Sequence, residues 1–353
     1  MISMVTKGTA PYKSVLTHGF VVDQDTGKKV SKSDQSNNDQ KKKKKVKPME
    51  ADHFISKFGA DILRLWVASV DWETEVPFGE GLFKQTADTY RRIRNTLRIL
   101  LGNLHDFDCT ENQVDHKNLT FIDKWILERL HKTTEECLEG YKSYEFRKVF
   151  NSINNFCTND LSSIYIDITK DRLYCDHKDS KKRRSTQTCM NIVLTDLCKL
   201  LAPILSFTAD ETWEHAGNKS GDIHCETFPK PDPDFSPGEI SSDMDILLKY
   251  RNIIQQSIEP LRQEKLVRSN YEASVELFLN NDDKEPLDIL IDNEDVHEFF
   301  MISELNTIKG NQDLSAKTIK SSHPKCPRCW RLLPSNHVDN LCERCESVVN
   351  STT

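Results

Sequence analysis

Residues 82–104 read LFKQTADTYRRIRNTLRILLGNL. Leu82, Phe83, Ala87, Tyr90, Ile93, Leu97, Leu100, Leu101 and Leu104 recur mostly at spacings of three and four, which puts them on one face of a helix. Arg91, Arg94 and Arg98 share another face at the same spacings. An apolar face of that length must be covered by other elements, and the chain supplies them. From Asp52 the pattern repeats in Phe54, Ile55, Phe58, Ile62, Leu63, Leu65 and Trp66. Helical stretches follow at 121–139, 144–170, 186–201 and 206–215, with polar turns between them and Pro203 separating the last two. The expectation is a mainly α chain built on an antiparallel helical bundle.

Outside these stretches the pattern changes. Residues 12–23, YKSVLTHGFVVD, alternate and carry the Val and Phe of a strand entering a turn at Gly27. Residues 34–49 are polar, lysine-rich and without period, as in a loop. Residues 228–238, FPKPDPDFSPG, hold four prolines and read as a linker. A helix at 243–264, a strand at 273–279 and the segments EPLDILID and EFFMISELNTI make a small mixed α/β region.

The 353 residues give room for two or three domains. No apolar run approaches the ~20 residues of a membrane helix, and MISMVTKGTAPYKS has neither the apolar stretch of a signal peptide nor the arginines of a transit peptide. The expectation is a monomeric chain without a membrane partner, in the cytoplasm or, for a eukaryotic source, in an organelle. The net charge of −7 excludes a uniformly basic nucleic-acid binder. Local basic clusters remain at 41–47, 91–98 and 181–184, and these read as surfaces for a polyanion.

Cys326, Cys329, Cys342 and Cys345 form two C-x-x-C hooks separated by twelve residues. Four thiolates at such spacing close a tetrahedron around Zn²⁺ and leave no position for water, so the site is structural. Metal binding is worth about 10–16 kcal/mol in zinc-finger peptides, enough to fold a tail with little core. Cys109, Cys137, Cys157, Cys175, Cys189, Cys198 and Cys225 show no pairing pattern and read as thiols. Trp66, Trp72, Trp125 and Trp213 read as core, and Asp160, Asp167 and Asp171 as cap and surface charges. For the arginine face, RNA phosphates and intrahelical pairs such as Asp88–Arg92 are equal alternatives.

Lys29-Val-Ser-Lys-Ser33 is weak evidence alone, since a basic Ser-Lys-Ser loop is also an ordinary solvated turn. Its flanks add to it. APYKSVLTHGFVVDQDTGKKVSKS followed by FGADILRLWVAS resembles the end of the catalytic domain of class I aminoacyl-tRNA synthetases, whose loop reads Lys-Met-Ser-Lys-Ser. Residues 90–104, DKWILERLH at 123–131, DLSSIYIDITKDRLY at 160–174 and LLAPILSFTADETWEH at 200–215 are similar to the isoleucyl-tRNA synthetases. CPRCW at 326–330 resembles the zinc tail of their bacterial and organellar type.

The resemblance implies the end of a Rossmann-like catalytic domain over 1–50, a helical connector over 51–118 and an anticodon-binding bundle over 119–235. A small α/β region over 236–320 and a zinc ribbon over 321–353 complete it. It implies ATP-dependent activation of isoleucine, with Mg²⁺, and transfer to the isoleucine tRNA. Lys29, Ser31, Lys32 and Ser33 match the loop, and Lys32 matches the lysine that contacts ATP. The matched cysteines hold one zinc. Trp330 and Arg331 fit RNA stacking and phosphate contact, or a packing lid on the ribbon. Three departures stand out: Val30 replaces Met, Asp34-Gln35 replaces Leu-Gly, and the lysine-rich run Lys41–Lys47 extends the loop. The family's His-x-Gly-His element is absent from these residues, so the polypeptide alone is expected to be inactive. The alternative is a non-catalytic tRNA-binding protein.

Overall fold

The computed structural model describes residues 1–30, 51–217, 221–235, 238–290, 293–333 and 341–352. A short helix, α1 (Ile2–Lys7), opens the chain, and strand β1 (Val21–Asp23) pairs in parallel with β2 (Val76–Phe78). Between these strands lie helices α2 (Ala51–Phe58) and α3 (Ala60–Ser69). The continuous periodicity from Asp52 is thus divided at Gly59, whose φ of 93° lies in the left-handed region that favours glycine. Phe54, Trp66, Phe78 and Phe83 pack ring against ring beneath β1 and β2, with centroids 4.6 Å apart for Phe54 and Phe83.

Helix α4 (Glu80–Asn103) leads from this small core into the bundle. Ile93, Leu97 and Leu100 are buried, as their spacing requires. The bundle continues with α5 (Phe121–Ser143) and α6 (Phe146–Asn155). A π-helical segment, Phe156–Tyr165, then runs straight into α7 (Ile166–Cys175). Inside it the Ser162 and Ser163 hydroxyls each donate to the carbonyl five residues back. Helices α8 (Lys181–Leu201) and α9 (Ser206–His215) close the bundle on either side of Pro203. Trp66, Trp125 and Trp213 are buried, and so are the thiols of Cys137, Cys157, Cys189 and Cys198. Trp72 is half-buried and donates its indole N–H to the Tyr144 carbonyl at 2.9 Å. The proline-rich stretch lies along the bundle: Phe228 stacks on Tyr141, and Phe235 is buried beside His116.

Helix α10 (Glu239–Gln263) packs on a three-stranded sheet of order β4-β3-β5. Strand β3 (Ala273–Asn280) is central, parallel to β4 (Glu304–Gly310) and antiparallel to β5 (Ser315–Lys320). The parallel pair needs a crossover, which α11 (Pro286–Ile289) and α12 (Asn293–Phe300) supply. Helix α13 (Glu343–Thr352) ends the chain.

Polar clasps join these parts. Asp61 on α3 accepts from the backbone N–H groups of Phe207 and Thr208 and from the Thr208 hydroxyl, capping α9. One turn on, Arg64 donates to the carbonyls of Pro203 and Ile204. At the far end Arg172 is 3% exposed. Its Nε and Nη2 donate to the two Glu298 oxygens, each at 2.7 Å, and its Nη1 lies 3.6 Å from Asp123. Asp123 also accepts from Tyr165 and Ser185, each at 2.6 Å.

The expectation of cap and surface charges is corrected for Asp160 and Asp171, whereas Asp167 is half-buried in the first turn of α7. Asp160 and Asp171 are buried. Asp160 is paired with Arg129 at 3.0 Å, Asp167 with Arg251 at 2.8 Å, and Asp171 with Arg344 at 2.6 Å. Removing one partner of a buried pair leaves an uncompensated charge, at a cost of about 3–5 kcal/mol. Arg172→Met is expected to destabilise the chain by about that amount, measured by denaturant unfolding. A change below about 1 kcal/mol would remove the pair from the framework.

Candidate metal centre and nucleic-acid interface

The four cysteines of the two hooks are buried, and their sulfurs all lie within 4.8 Å of one another. Cys329 Sγ and Cys342 Sγ are 3.8 Å apart. Four sulfurs bound to zinc at ~2.3 Å in a tetrahedron stand roughly 3.8 Å apart, whereas a disulfide needs ~2 Å. The backbone N–H of Cys342 points at Cys326 Sγ at 3.5 Å, and Arg328 Nη1 at Cys345 Sγ at 3.5 Å. These donors favour sulfur that carries charge. Hydrogen bonds from the Cys329 and Cys342 thiols, opposed by burial and helped by Arg328, hold Cys345 well below the usual thiol range. Cys342 is pushed up by its bonds to Cys329 and Cys345 and by burial. A cation at the centre would relieve this competition for one negative charge, so the donor set fits a metal.

Each hook also grips the bundle. Arg328 donates to the Cys175 carbonyl at the end of α7. Arg344, between Cys342 and Cys345, donates to Asp171 at 2.6 Å and Asp176 at 3.2 Å. Arg331 is 2% exposed, 3.7 Å from Asp171 and against the Tyr271 ring. Its expected role as a phosphate contact is corrected, because burial leaves it no path to RNA. Trp330 turns the other way: its φ is 65°, and it is 67% exposed beside the sulfurs.

At the other end, the turn after β1 delivers the chain to the basic loop. Asp23 accepts from the N–H groups of Asp25 and Thr26, Gly27 takes φ 64°, and Val30 N–H returns to the Val21 carbonyl at 2.8 Å. Lys29 Nζ sits 3.7 Å above the Phe20 ring. Ser31, Lys32 and Ser33 lie outside the described residues, as do Asp34, Gln35 and lysines 41–45.

The two basic clusters differ. Arg91, Arg92, Arg94 and Arg98 are exposed on α4. Arg91 bonds Asp88 at 2.7 Å, so the intrahelical partner of Asp88 is Arg91 and not Arg92. Arg94 is held by Glu211 through two bonds, of 2.6 and 2.9 Å. The expectation that 181–184 is a phosphate surface is corrected. Arg183 is 7% exposed and grips Asp106 with bonds of 2.8 and 2.9 Å. Arg184 reaches the Asp106 carbonyl and Gln187, and Lys182 reaches Asp295 at 2.6 Å. Burial pushes Asp106 up, but hydrogen bonds from Arg183 and Gln187 outweigh it and lower the carboxyl from 3.8 to about 2.

Two family models match the chain. One, described as tRNA synthetases class I (I, L, M and V), covers residues 1–79. The other, the anticodon-binding domain of tRNA ligase, covers 123–277. The isoleucine–tRNA ligase of Caldicellulosiruptor saccharolyticus is 38% identical over 359 residues, spanning 99% of this chain. That of Thermotoga maritima is 37% identical over 365 residues, again 99% of the chain. Along 99% of its length the chain is thus similar to isoleucine–tRNA ligases, and the two family models that match it are both of tRNA ligases. It spans 37% and 38% of the length of those two relatives. A solved LeuRS–tRNA–LeuAMS complex from Agrobacterium radiobacter K84 is 12% identical with a TM-score of 0.46, over 95% of this chain and 28% of that one. That likeness is too slight to carry weight.

Two outcomes are expected. Metal analysis of reduced protein finds about one bound ion per chain, absent in Cys342→Ser; a metal-free tail that keeps α13 docked would refute the centre. Asp106 is lowered on folding, so it stabilises the fold above its unfolded pKa of 3.8 and ceases to as pH falls toward 2. Asp106→Asn is therefore expected to flatten the acid limb of the stability curve between pH 4 and 2, followed by pH-dependent unfolding.

Proposed function

We propose that the chain is the ATP-loop, anticodon-binding and metal-binding part of an isoleucine–tRNA ligase. The observation that carries this reading is the identity of 37–38% to such ligases along 99% of the chain. Residues 1–50 end the catalytic domain, 51–118 connect it to the bundle, and 119–235 receive the anticodon arm. Residues 236–320 form a small α/β unit, and 321–353 a zinc ribbon. The ion is zinc, held by Cys326, Cys329, Cys342 and Cys345, and its role is to fix both hooks against α7. The protein acts as a monomer in the cytoplasm.

In the ligase, the isoleucine carboxylate attacks the α-phosphate of ATP and pyrophosphate leaves. Lys29 and Lys32, with Ser31 and Ser33, would offer donors to the charge that builds on the phosphates, where a bound Mg²⁺ would supply further positive charge. The Asp23 turn sets the direction in which the loop leaves β1. Transfer to tRNA then needs the bundle and the loop in a fixed relation, which Asp61 and Arg64 support. Exposed cations on α4, Arg91 and Arg98 among them, suit phosphates, and Trp330 suits an unstacked base.

A second reading has its own observation. The 353 residues hold no His-x-Gly-His, which supports reading the isolated chain as a tRNA binder without adenylate synthesis. Isoleucine-dependent exchange of pyrophosphate into ATP is expected to be absent for the isolated chain, and its appearance would overturn that. Filter binding across a salt series tests the tRNA reading. Isoleucine tRNA is expected to bind better than a non-cognate tRNA. Arg91→Ala with Arg98→Ala should reduce the slope of log affinity against log salt by roughly 0.7–0.9 for each phosphate that is no longer neutralised. Equal or negligible binding of both tRNAs would sink the assignment.

A further inference from the structure

A cavity of about 140 Å³ lies between α5, α8 and the proline-rich stretch. Leu127 and Leu130 on α5, Ile192 on α8 and Phe235 give it apolar walls. Phe235 is buried against the His116 ring, with centroids 4.6 Å apart. Lys230, Pro231 and Asp232 complete the wall on the side of the stretch. Two polar side chains also line the cavity, one turn apart on α5: His131, 8% exposed, and Thr134, 1% exposed. Among the described residues neither His131 Nδ1 nor Thr134 Oγ1 has a hydrogen-bond partner, although both atoms are buried. The neighbouring Thr133 instead donates its hydroxyl to the Arg129 carbonyl one turn back, a common outlet for a threonine within a helix. A buried polar atom left unpaired is costly, so two of them facing one cavity point to a polar guest.

The donor pattern sets the chemistry of that guest. His131 Nε2 lies 3.5 Å from the Glu135 carboxylate, which favours the ring proton there and leaves Nδ1 as an acceptor. Thr134 has a hydroxyl to donate. Together they complement a lactam edge, an N–H beside a C=O. The volume sets the size, since an engineered apolar cavity of about 150 Å³ takes one benzene ring. The charged side chains that line the cavity set the sign. Asp196 and Asp232 outnumber Lys230, which disfavours an anion, whether a free phosphate or the backbone of an RNA. We propose that this cavity binds a neutral, single-ring lactam of the pyrimidine-base class, with its N–H on His131 Nδ1 and its carbonyl on the Thr134 hydroxyl. The site shares no residue with the metal centre or with the arginines of α4, and it goes beyond the tRNA reading without resting on it.

Titration calorimetry of the 353-residue chain with uracil is expected to show a single site. 1,3-Dimethyluracil lacks both N–H donors and should bind at least about tenfold more weakly, because His131 Nδ1 is then left unpaired. Thymine, which is enlarged but keeps its donors, should bind as uracil does. Orotate, the same ring bearing a carboxylate, should bind less well than uracil. Thr134→Val and, separately, His131→Leu should each weaken uracil at least about fivefold, with circular dichroism confirming the fold. The comparison among ligands carries the test by itself if either variant fails to fold. Absence of uracil binding overturns the proposal, as does binding that both folded variants retain. Thymine and 1,3-dimethyluracil weakened alike would show that size alone decides, and tighter binding of orotate that the guest is an anion; either result overturns it too.

Discussion

Arg172, a guanidinium almost without solvent, stands where three parts of the chain meet. It projects from α7, receives Asp123 from the start of α5, and is gripped through both carboxylate oxygens by Glu298 on α12. Burying these charges is costly, and apolar residues of the same volume could serve stability as well. What an apolar patch would not supply is direction. A bidentate guanidinium–carboxylate contact admits one orientation of α12 against α7, and hence of the sheet against the bundle. Burial raises the Glu298 carboxyl even against Arg172 beside it, so charge separation here depends on the partner staying in place. The preceding residue continues the arrangement on another side. Asp171 takes Arg344 and Arg331, one from the second hook and one just past the first. Consecutive residues of one helix thus orient both C-terminal units.

The opposite end of the bundle uses a different device. A helix terminus leaves backbone groups without partners, and the joint between α8 and α9 has one terminus of each kind. Asp61 satisfies N–H groups at the start of α9, and Arg64 satisfies carbonyls just past the end of α8. Both come from one face of α3, which follows the basic loop in sequence. GADILRLW and LLAPILSFTADETWEH are therefore two sides of one contact, which couples the loop-bearing segment to the bundle.

Much of this was legible in the sequence where the signal is local. The spacing of Ile93, Leu97 and Leu100 predicts a buried helix face, and all three are buried. The two C-x-x-C hooks predict one cluster, and the sulfurs converge. Charge was read less well, because a charged residue does not announce its partner. Arg183 looks like surface until Asp106, 77 residues earlier, closes on it. Arg344 and Asp171 are 173 residues apart. The strand expected over 12–23 shortens to Val21–Asp23 for a related reason, since alternation predicts a strand only when a neighbour completes the ladder. Gly59 divides a helical pattern that the apolar periodicity carries across it, because periodicity reports which face is buried and not where the backbone turns.

These internal pairings narrow how the chain can meet RNA. Arg183, Arg184, Arg331 and Arg344 are engaged with the chain's own carboxylates and carbonyls, and moving them to phosphate would unmake the contacts that hold the bundle and the metal unit together. Of the exposed cations on α4, Arg94 is tied to Glu211, whereas Arg91 bonds Asp88 on its own helix in a solvent-screened pair worth ~0.3–0.5 kcal/mol. A phosphate can displace such a partner at little cost. With a net charge of −7 the chain has no broad positive field to gather RNA nonspecifically. In the proposed tRNA-binding role, recognition would then rest on a few positioned contacts. Trp330 is the proposed contact that the structure presents most openly, because its indole is exposed while Arg331, the next residue, is buried and holds the hook.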